Sequence, residues 1–454
     1  MSADPHSSPP GQQGPGHGNQ PSEEILAVES RNLLALAAHY ISLRLGWIFK
    51  TETVIMPAVM DAISGAGWLR GCLPVVNRVC SSLPPLFYAP QLKAARRKKT
   101  MLTLATLTMA VPFLILAGTW FVVWADPKAS DGLPAWMPGL FLACYGIVFV
   151  GTGLQRLAWA TVQGKLLRDN RRGRLLALSG LVGSVVSVAA VVVLLPRWLG
   201  REDHGFGQVF LVTAIGFIGA GVLALLVTEP LDPASTPPRR RPGELFLEAW
   251  ELVRTNRRFR RITLVAMLFI TIQLAFPHFQ TLGRQLLTPR QQDQGNHLMH
   301  WVVAQNIGFG ICTFLFGWAA DFFGNRIVIR IQVLSLAAVP LVALAFSSGA
   351  LDHGWYWATF SLLGLTPLTF RTINNYVLEI VPPGDHPRCI ATLNLAMTLP
   401  FILSPAVGWL VDRVGFEPIF ITVSALVATG GLLTLGMDEP RSDASGVATT
   451  TSPS

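Results

Sequence analysis

The stretch Thr100–Trp124, TMLTLATLTMAVPFLILAGTWFVVW, contains no charged side chain over 25 residues. At about 1.5 Å of rise per residue, a helix of this length can cross the roughly 30 Å hydrocarbon core of a lipid bilayer. Polar segments lie on either side of it, KAARRKK before it and ADPKASDG after it, as loops lie on either side of a membrane span. The stretch therefore predicts a transmembrane helix.

Similar apolar runs of about 20 residues recur along the chain and predict twelve transmembrane helices. They lie at 33–58, 68–92, 100–124, 135–162, 175–196, 207–228, 262–286, 298–317, 327–348, 355–380, 390–412 and 417–436. The composition agrees, because 51% of the residues are hydrophobic and only 13% are charged, about half the charged fraction of soluble domains. We expect an all-α integral membrane protein.

The longest polar interruption, residues 229–261, divides the predicted spans six and six. This division predicts two pseudo-symmetric six-helix bundles, at 31–228 and 262–437. The tails 1–30 and 438–454 are expected to be disordered and cytoplasmic, since the first is rich in Pro, Gly, Ser and Gln. Within the linker an interfacial amphipathic helix is expected, because apolar residues recur there at helical spacing. These are Leu245, Phe246, Ala249, Trp250 and Val253.

Lys and Arg concentrate in alternate loops, and such loops are retained on the cytoplasmic side of a membrane. The basic loops are 93–99, 165–174 and the linker. Both termini are therefore predicted to be cytoplasmic, in a multi-pass protein of the cytoplasmic membrane. Although the net charge is +9, the basic residues do not form one patch, so nucleic-acid binding is not expected.

The segment Gly317–Arg330, GWAADFFGNRIVIR, resembles the loop signature of the major facilitator superfamily. Gly317 would allow close helix approach, Gly324 a tight turn, and Asp321 an ion pair with an arginine at a helix end. The resemblance implies a conformational latch formed by Gly317, Asp321, Gly324, Arg326 and Arg330. A weaker relative of the signature, GWLVDRVGF, begins at Gly408.

In a six-plus-six protein the signature should recur between spans 2 and 3, where this chain reads LFYAPQLKAARRKK. Phe87, Gln91 and Ala94 stand at its positions, so the acidic residue and the glycines are lost. Arg96 and Arg97 keep only the basic part. This departure puts the latch of the first half in doubt.

A repeat supports the two-half architecture independently of the signature. Arg156 and Arg174 lie 18 positions apart around span 4, and Arg371 and Arg388 lie 17 positions apart around span 10. Related halves place a substrate site at their interface near the bilayer midplane. The chain is therefore expected to be a secondary active transporter of a small solute, with alternating access of the major-facilitator type.

Ionisable residues inside a bilayer are functional candidates, because each is costly unless it is paired or solvated. Tyr40, Arg44, Trp47 and Thr51 share one face of span 1, where Arg44 is a candidate for binding an anion. Glu52 is the candidate for proton coupling. The alternative is a structural role, in which Arg44 and Glu52 pair with each other or with groups on neighbouring spans. The full set of candidates is Tyr40, Arg44, Thr51, Glu52, Arg156, Gln273, His278, Gln305, Asn306, Arg371 and Asn374.

Arg70 is expected to snorkel at the outer rim, and proline residues to kink or break several spans. These are Pro57, Pro277, Pro367, Pro400 and Pro405. Basic residues outnumber acidic ones inside the spans, which favours an anionic substrate. The coupling ion, if there is one, remains open between a proton and another ion.

The chain carries no P-loop, HExxH, GxSxG or complete GxGxxG pattern, so neither an enzyme nor a nucleotide-driven pump is expected. No cofactor or metal is predicted, and the five cysteines have no ligand spacing. The expected partners are the lipid bilayer and a small-molecule substrate, and the expected assembly is a monomer. The alternative function is a transporter-like sensor or scaffold that binds a ligand without flux.

Overall fold

The computed structural model describes residues 23–125, 133–199, 205–233, 242–288, 291 and 296–438, and the regular structure in these residues is helical. The first 22 residues of the predicted N-terminal tail and residues 439–454 of the predicted C-terminal tail lie outside the described residues. Residues 23–30 were expected to be disordered but belong to the first helix. Glu29 explains the difference, because its buried carboxylate accepts a 2.8 Å bond from Nη2 of Arg168.

The first half of the chain is built from seven helices. Their bounds are α1 Glu23–Phe49, α2 Ile55–Ile63, α3 Gly67–Ala94, α4 Lys98–Ala125, α5 Met137–Leu166, α6 Asp169–Leu199 and α7 Phe206–Leu225. Helix α8, Pro242–Thr255, lies in the linker. Helix α4 packs against α5 and α7, while α1 packs against α6 and α7. The six predicted spans of this half thus form one bundle.

The second half repeats this plan with more interruptions. Its helices are α9 Arg257–Ile270, α10 Phe276–Gln285, α11 Asn296–Ser347, α12 Trp357–Leu363, α13 Thr366–Ile380, α14 His386–Ala396, α15 Ser404–Val414 and α16 Phe416–Leu433. Short 3-10 segments at Thr271–Ala275 and Leu399–Leu403 join α9 to α10 and α14 to α15. Helix α11 packs against α12, α13 and α16.

Prolines coincide with the interruptions, as the sequence predicts. Pro57 lies in the first turn of α2, just after the break that ends α1. Pro277 lies in the first turn of α10, Pro367 in that of α13 and Pro405 in that of α15, and Pro400 lies in the second 3-10 segment. A proline lacks the backbone N–H that a helix interior needs but is tolerated in a first turn, which agrees with its position at the start of α2, α10, α13 and α15.

Nine helical stretches of the described residues are long and apolar enough to cross a membrane. One of them, Asn296–Ser347, is 52 residues long and joins two predicted spans through Gly324, whose backbone is not helical. Two other predicted spans, 68–92 and 355–380, are not among the nine. The first contains four prolines, and the second is divided into α12 and α13. By length and apolarity alone, the described residues therefore do not yield the twelve predicted transmembrane helices.

Large apolar side chains are exposed on the outer surface of several helices, among them Val122, Leu181 and Phe314. A surface of this kind is unfavourable in water. A tightly packed aromatic core lies inside the first half instead. It includes Phe113, Trp120, Phe141, Tyr145, Phe149, Phe210 and Phe217. Apolar residues outside as well as inside are what hydrocarbon solvation of the exterior requires.

The two ends of the molecule are named here by their turns. The basic end carries the turns at 95–97, 167–168 and Gly324, and the Gly67 end carries the turns at 64–66, 348–356 and Gly415. The two halves pack closely at the Gly67 end, where α3 meets α15 and α2 meets α10. Gly67 lies against the backbone of Gly408 there, and Gly71 against that of Ser404. Only residues without a large side chain allow this approach.

Candidate functional site

The break between α1 and α2 places charged and polar groups at the centre of the molecule. Nζ of Lys50 lies 3.3 Å from Oε1 of Glu52. The same ammonium lies 3.4 Å from the ring centroid of Trp47 and 4.2 Å from that of Phe149. Lys50 is completely buried. Its charge is therefore stabilised by one carboxylate and two aromatic faces, in place of water.

Glu52 connects this break to α3, because Nδ2 of Asn77 donates a hydrogen bond to Oε2 of Glu52. The Glu52 side chain is still 29% exposed. It is thus paired through both oxygens and yet accessible to a solute. Glu52 stays a candidate for coupling, although both of its partners belong to its own half.

Two arginine side chains of the first half lie near this pair. The guanidinium carbon of Arg156, on α5, lies 5.9 Å from the ring centroid of Trp47. Nη2 of Arg78 lies 3.3 Å from the backbone oxygen of Asn394, which belongs to the second half. The Nε atom of Arg78 is buried without a hydrogen-bond partner. Arg78 thus carries an unused donor at the interface of the halves.

Arg371, on α13, is the counterpart of Arg156 in the second half. Its guanidinium carbon lies 5.6 Å from the ring centroid of Phe309. Arg156 and Arg371 are exposed although each lies within a membrane helix. In the described part of the chain neither they nor Arg78 form an ion pair with a carboxylate. The central region therefore carries more positive than negative charge.

The two halves are also joined directly at this level. Oγ1 of Thr53 donates a 2.5 Å hydrogen bond to Oε1 of Gln305 on α11. Phe309, beneath Arg371, lies one turn further along the same helix. The structure therefore brings four of the sequence candidates toward one central region. These are Glu52, Arg156, Gln305 and Arg371. We name them together with Lys50, Arg78 and Asn77 the central site.

The predicted face of span 1 is divided among different neighbours. The Tyr40 ring stacks on Trp159 of α5 at 5.7 Å between centroids. The aliphatic part of Arg44 lies against Gly183 of α6. Oγ1 of Thr51 donates a 2.6 Å hydrogen bond to the backbone carbonyl of Ile48. The structure thus does not gather these three residues around Glu52.

The remaining candidates lie elsewhere in the second half. The side-chain amide of Asn306 donates 2.9 Å to the carbonyl of Val302, and that of Asn374 donates 3.0 Å to the carbonyl of Phe370. Both bonds stay within one helix. Gln273 is half-buried on the 3-10 segment between α9 and α10. His278 is fully buried near the Gly67 end, and both its ring nitrogens lack a hydrogen-bond partner.

An ion triad that the sequence did not predict lies near His278. Nη1 of Arg70 lies 2.6 Å from Oδ1 of Asp61, and its Nη2 lies 3.1 Å from Oδ1 of Asp412. Oγ1 of Thr281 donates a 3.0 Å bond to the other oxygen of Asp61. The expectation that Arg70 snorkels is wrong: its side chain is only 6% exposed, because carboxylates from α2 and α15 converge on it.

The predicted latch region of the second half lies at the basic end. Gly324 has φ of 79°, a conformation that favours glycine, and this agrees with the predicted tight turn. Nη1 of Arg326 donates a 3.0 Å bond to the backbone oxygen of Met437, and Nη2 of Arg330 donates 3.3 Å to that of Thr434. Both arginines thus connect the part of α11 that follows Gly324 to the segment that follows α16.

Gly317 and Asp321 line a cavity at this end together with Asn325, Asn375 and Glu379. A side-chain carbon placed on Gly317 would meet no other atom within 4 Å. The close helix approach expected at Gly317 is therefore not present in this conformation. The role of the five residues as a latch stays a prediction.

The first half builds a different structure where the signature is lost. The backbone N–H groups of Lys98 and Lys99, at the start of α4, donate 3.0 Å and 2.7 Å to the two carboxylate oxygens of Glu229. Nζ of Lys165 lies 2.7 Å from the same carboxylate. A carboxylate is stabilised at this position by the free N–H groups and by the helix dipole. Glu229 thus supplies the acidic group that the loop itself lacks.

Asp232 extends this network outside the membrane spans. Its carboxylate pairs with Nζ of Lys98, and its Oδ1 lies 2.8 Å from Nζ of Lys165. Partial burial raises the pKa of Asp232, but the hydrogen bonds and charges of the two lysines outweigh that effect and lower the pKa below its ordinary value. The carboxylate is therefore ionised throughout the physiological range.

The sequence candidates did not include Lys50, Asn77 and Arg78 of the central site. They also did not include four acidic residues, namely Asp61, Glu229, Asp232 and Asp412. One signal was available, because Asp412 belongs to the GWLVDRVGF segment that begins at Gly408. Asp61 stands alone in an apolar stretch, MDAI, just after the first predicted span. Glu229 and Asp232 were read as linker residues. Lys98 lies 131 positions from Glu229 and 134 from Asp232 along the chain. Lys165 lies 64 positions from Glu229.

A family model described as the Major Facilitator Superfamily matches residues 62–288 and 286–451. The chain therefore belongs to the major facilitator superfamily, which confirms the resemblance found in its loop signature. The family and the apolar helices make it a multi-pass membrane protein. The number of spans is not fixed by this match.

Two relatives illustrate the range of sequence similarity. An uncharacterized protein of Mycobacterium tuberculosis (strain ATCC 25618 / H37Rv) is 26% identical over 319 residues, which are 68% of this chain and 57% of that protein. The chain thus spans little more than half the length of this relative. A folate-biopterin transporter of Synechocystis sp. (strain ATCC 27184 / PCC 6803 / Kazusa) is 24% identical over 412 residues, 87% of this chain and 76% of that protein.

Solved structures with the same fold cover most of the chain. A mutant of the nucleoside transporter NupG has a TM-score of 0.67 at 14% identity, with 90% of this chain and all of that chain covered. A POT family transporter in complex with 5-aminolevulinic acid has a TM-score of 0.66 at 12% identity, with 89% and 95% covered. At this identity the similarity establishes the fold.

Proposed function

We propose that the protein is a secondary active transporter that carries a small anionic solute across the cytoplasmic membrane by alternating access. The observation that carries the proposal is the charge of the central site. Lys50, Arg78, Arg156 and Arg371 contribute four positive charges, and Glu52 contributes one negative charge. Both chain termini are proposed to lie on the cytoplasmic side, as the basic loops indicate.

A positive charge within a membrane protein is costly unless a counter-charge or water compensates it. Lys50 has its partner in Glu52, whereas Arg156 and Arg371 are exposed within their helices and pair with no carboxylate among the described residues. A bound anion would supply the missing negative charge through charge-assisted hydrogen bonds. The site thus has the electrostatics of an anion-binding site.

The arginines come from both halves, which supports alternating access. Arg156 lies on α5 in the first half and Arg371 on α13 in the second. A solute held between them would contact both halves at once, near the interface at which such repeats rock. The closed packing at the Gly67 end is consistent with a state in which that end is shut.

The ring next to each arginine suggests which anions to test first. Trp47 lies beside Arg156, Phe370 beside Arg78 and Phe309 beside Arg371. An aromatic carboxylate could use both the rings and the guanidinium groups. The relative described as a folate-biopterin transporter makes folate and biopterin the natural first pair. Folate carries carboxylates and biopterin does not, so the pair isolates the contribution of the anionic group.

The experiment is ligand binding and counterflow by the purified protein in proteoliposomes, with a panel of monocarboxylates, dicarboxylates, phosphate esters, folate and biopterin. We expect an anion to bind and to exchange. Arg156→Gln and Arg371→Gln should each weaken its binding by about ten- to a hundredfold, the usual cost of a charge-assisted hydrogen bond. Arg97→Gln, in the loop at the basic end, serves as the matched control and should bind normally.

Equal affinity for neutral and anionic members of the panel, unchanged in Arg156→Gln and Arg371→Gln, would refute an anionic substrate. Arg44→Gln belongs in the same series, because the sequence makes Arg44 a candidate. A loss of binding in that variant alone would move the site toward α6, where Gly183 contacts Arg44.

The second candidate function is a sensor or scaffold that binds a ligand without moving it. The loss of the signature between spans 2 and 3 favours it. Counterflow decides between the two, since a sensor would bind the anion in the binding assay and yet exchange none across the membrane.

A further inference from the structure

The ion triad at the Gly67 end joins the two halves of the protein. Asp61 and Arg70 belong to the first half, and Asp412 and Thr281 to the second. Asp412 also accepts a 2.6 Å hydrogen bond from the backbone N–H of Gly67, where α3 begins. Any motion that opens this end must break the contacts of Arg70 with Asp412 and of Asp61 with Thr281.

The charges in this triad depend on each other. The Arg70 and Asp61 side chains are both 6% exposed, whereas Asp412 is 40% exposed. A buried ion pair that loses one partner leaves an uncompensated charge, which is strongly unfavourable. Neutralising Asp61 would leave Arg70 with one carboxylate, the more exposed and more distant Asp412. This loss weakens the closed conformation relative to an open one in which water reaches Arg70.

Asp61 is placed so that a proton can reach it from the Gly67 end. It borders an open cavity that Gly65, Arg284 and Gln285 also line. Arg70 on α3 pairs with Asp61, Thr281 on α10 donates to it, and Arg284 on the same helix lines the cavity with it. Asp412 on α15 contacts Arg70, and His278 on α10 lies near Arg70. His278 lies one turn before Thr281 on α10, is fully buried and has no partner for either ring nitrogen.

We infer that Asp61 is the proton-binding group of the carrier, and that its protonation releases Arg70 and opens the Gly67 end. The inference rests on the proposed function, because it couples a proton gradient to solute movement. It assigns coupling to a carboxylate between the halves. Glu52, the candidate from the sequence, is bound to Lys50 and Asn77 of its own half, so its protonation would break no contact between the halves.

The opening can be measured without a substrate. Spin labels at Ser64 and Glu417, both exposed and in different halves at the Gly67 end, would be placed on a background whose five cysteines are replaced by alanine. We expect the inter-label distance of the otherwise unchanged protein in nanodiscs to be longer at pH 5 than at pH 8. Asp61→Asn should show the longer distance at both pH values.

Three variants make this measurement decisive. Asp61→Glu should restore the pH dependence, which separates a lost proton site from a damaged fold. Asp352→Asn, an exposed carboxylate at the same end, is the matched control and should respond to pH as the parent does. A pH response that survives in Asp61→Asn, or that disappears in Glu52→Gln and not in Asp61→Asn, would overturn the inference.

Transport assays separate this inference from the proposed function. In Asp61→Asn, pH-gradient-driven uptake of the anion found in the panel should fall at least tenfold. Exchange of labelled for unlabelled anion should continue. If no solute is carried, the proposed function fails and the distance measurement still decides the role of Asp61. If uptake in Asp61→Asn follows the pH gradient as in the parent, the inference fails and the carrier function stands.

Discussion

The two halves solve the same structural problem at the basic end with different side chains. In the second half, Arg326 and Arg330 reach from the start of a span to the carbonyls of Met437 and Thr434 at the end of the last span. In the first half, Nζ of Lys99 reaches the carbonyls of Leu225 and Val227 at the end of α7. Basic residues satisfy the free carbonyls of a helix C-terminus in both halves.

The halves differ in where the acidic group comes from. The second half keeps an aspartate in the loop signature itself, at Asp321. The first half has Gln91 at that position and uses Glu229, from the segment after α7, to bind the start of α4. The comparison teaches that the fold requires the helix ends to be satisfied. The first half of this chain meets that requirement without the signature.

The largest effect is expected from Glu229→Ala. Its buried carboxylate accepts two backbone N–H groups and pairs with Lys165, so its removal leaves these donors unsatisfied. We expect a loss of about 3–5 kcal/mol in the free energy of unfolding. Unfolding in mixed micelles measures it. The control Glu248→Ala, a half-exposed partner of Arg388 at 3.9 Å, should cost about 1 kcal/mol or less.

Gly324→Ala tests the turn that only the second half retains. Gly324 has φ of 79°, and we expect about 1–3 kcal/mol of destabilisation because alanine is strained there. Gly317→Ala is the matched control, with helical backbone and no atom within 4 Å of the added carbon. Equal stability loss in both variants would contradict the special conformation of Gly324.

Lys99→Gln and Arg330→Gln test whether the two halves are equivalent at their helix C-termini. Each variant removes hydrogen bonds from a charged side chain to backbone carbonyls. We expect similar losses of about 1–2 kcal/mol in the free energy of unfolding. A loss confined to Arg330→Gln would mean that Lys99 does not perform the corresponding role, and the comparison would fail.

The smallest effect concerns Asp232, whose pKa is lowered in the folded protein. A lowered folded pKa contributes stability above the unfolded pKa, and this stability is lost as the pH falls through the folded pKa. Because Asp232 is partly exposed and screened by solvent, we expect less than about 1 kcal/mol. The difference in unfolding free energy between the parent and Asp232→Asn should therefore shrink as the pH falls below about 4. A difference that stays constant from pH 3 to pH 7 would exclude this pKa effect.

Much of the fold could be predicted from local sequence. The apolar runs gave the helices, because a lipid-exposed backbone must satisfy its hydrogen bonds within its own segment. Pro57, Pro277 and Pro367 gave the interruptions for an equally local reason, the missing N–H. The Gly317–Arg330 signature gave the family. None of these inferences needed a contact between distant residues.

The candidate site was predicted only in part. Glu52, Arg156, Gln305 and Arg371 were chosen as polar residues within apolar runs, and the structure brings them toward one region. Arg44 was chosen by the same rule, yet the structure places it against Gly183 of α6. The rule identifies which residues are costly in a bilayer, but it cannot tell which neighbour satisfies each of them.

The sequence by itself determined that this chain is a helical membrane protein of two related halves in the major facilitator superfamily. Apolarity, helical length and proline position act over a few helical turns. Local sequence is therefore enough to predict the helices and their interruptions. Only the tertiary structure decided that Arg70 pairs with Asp61 and Asp412, and that Glu229 binds the start of α4. Electrostatic pairing depends on distance in space, and the Arg70–Asp412 and Glu229–Lys98 pairs are separated by 342 and 131 positions along the chain.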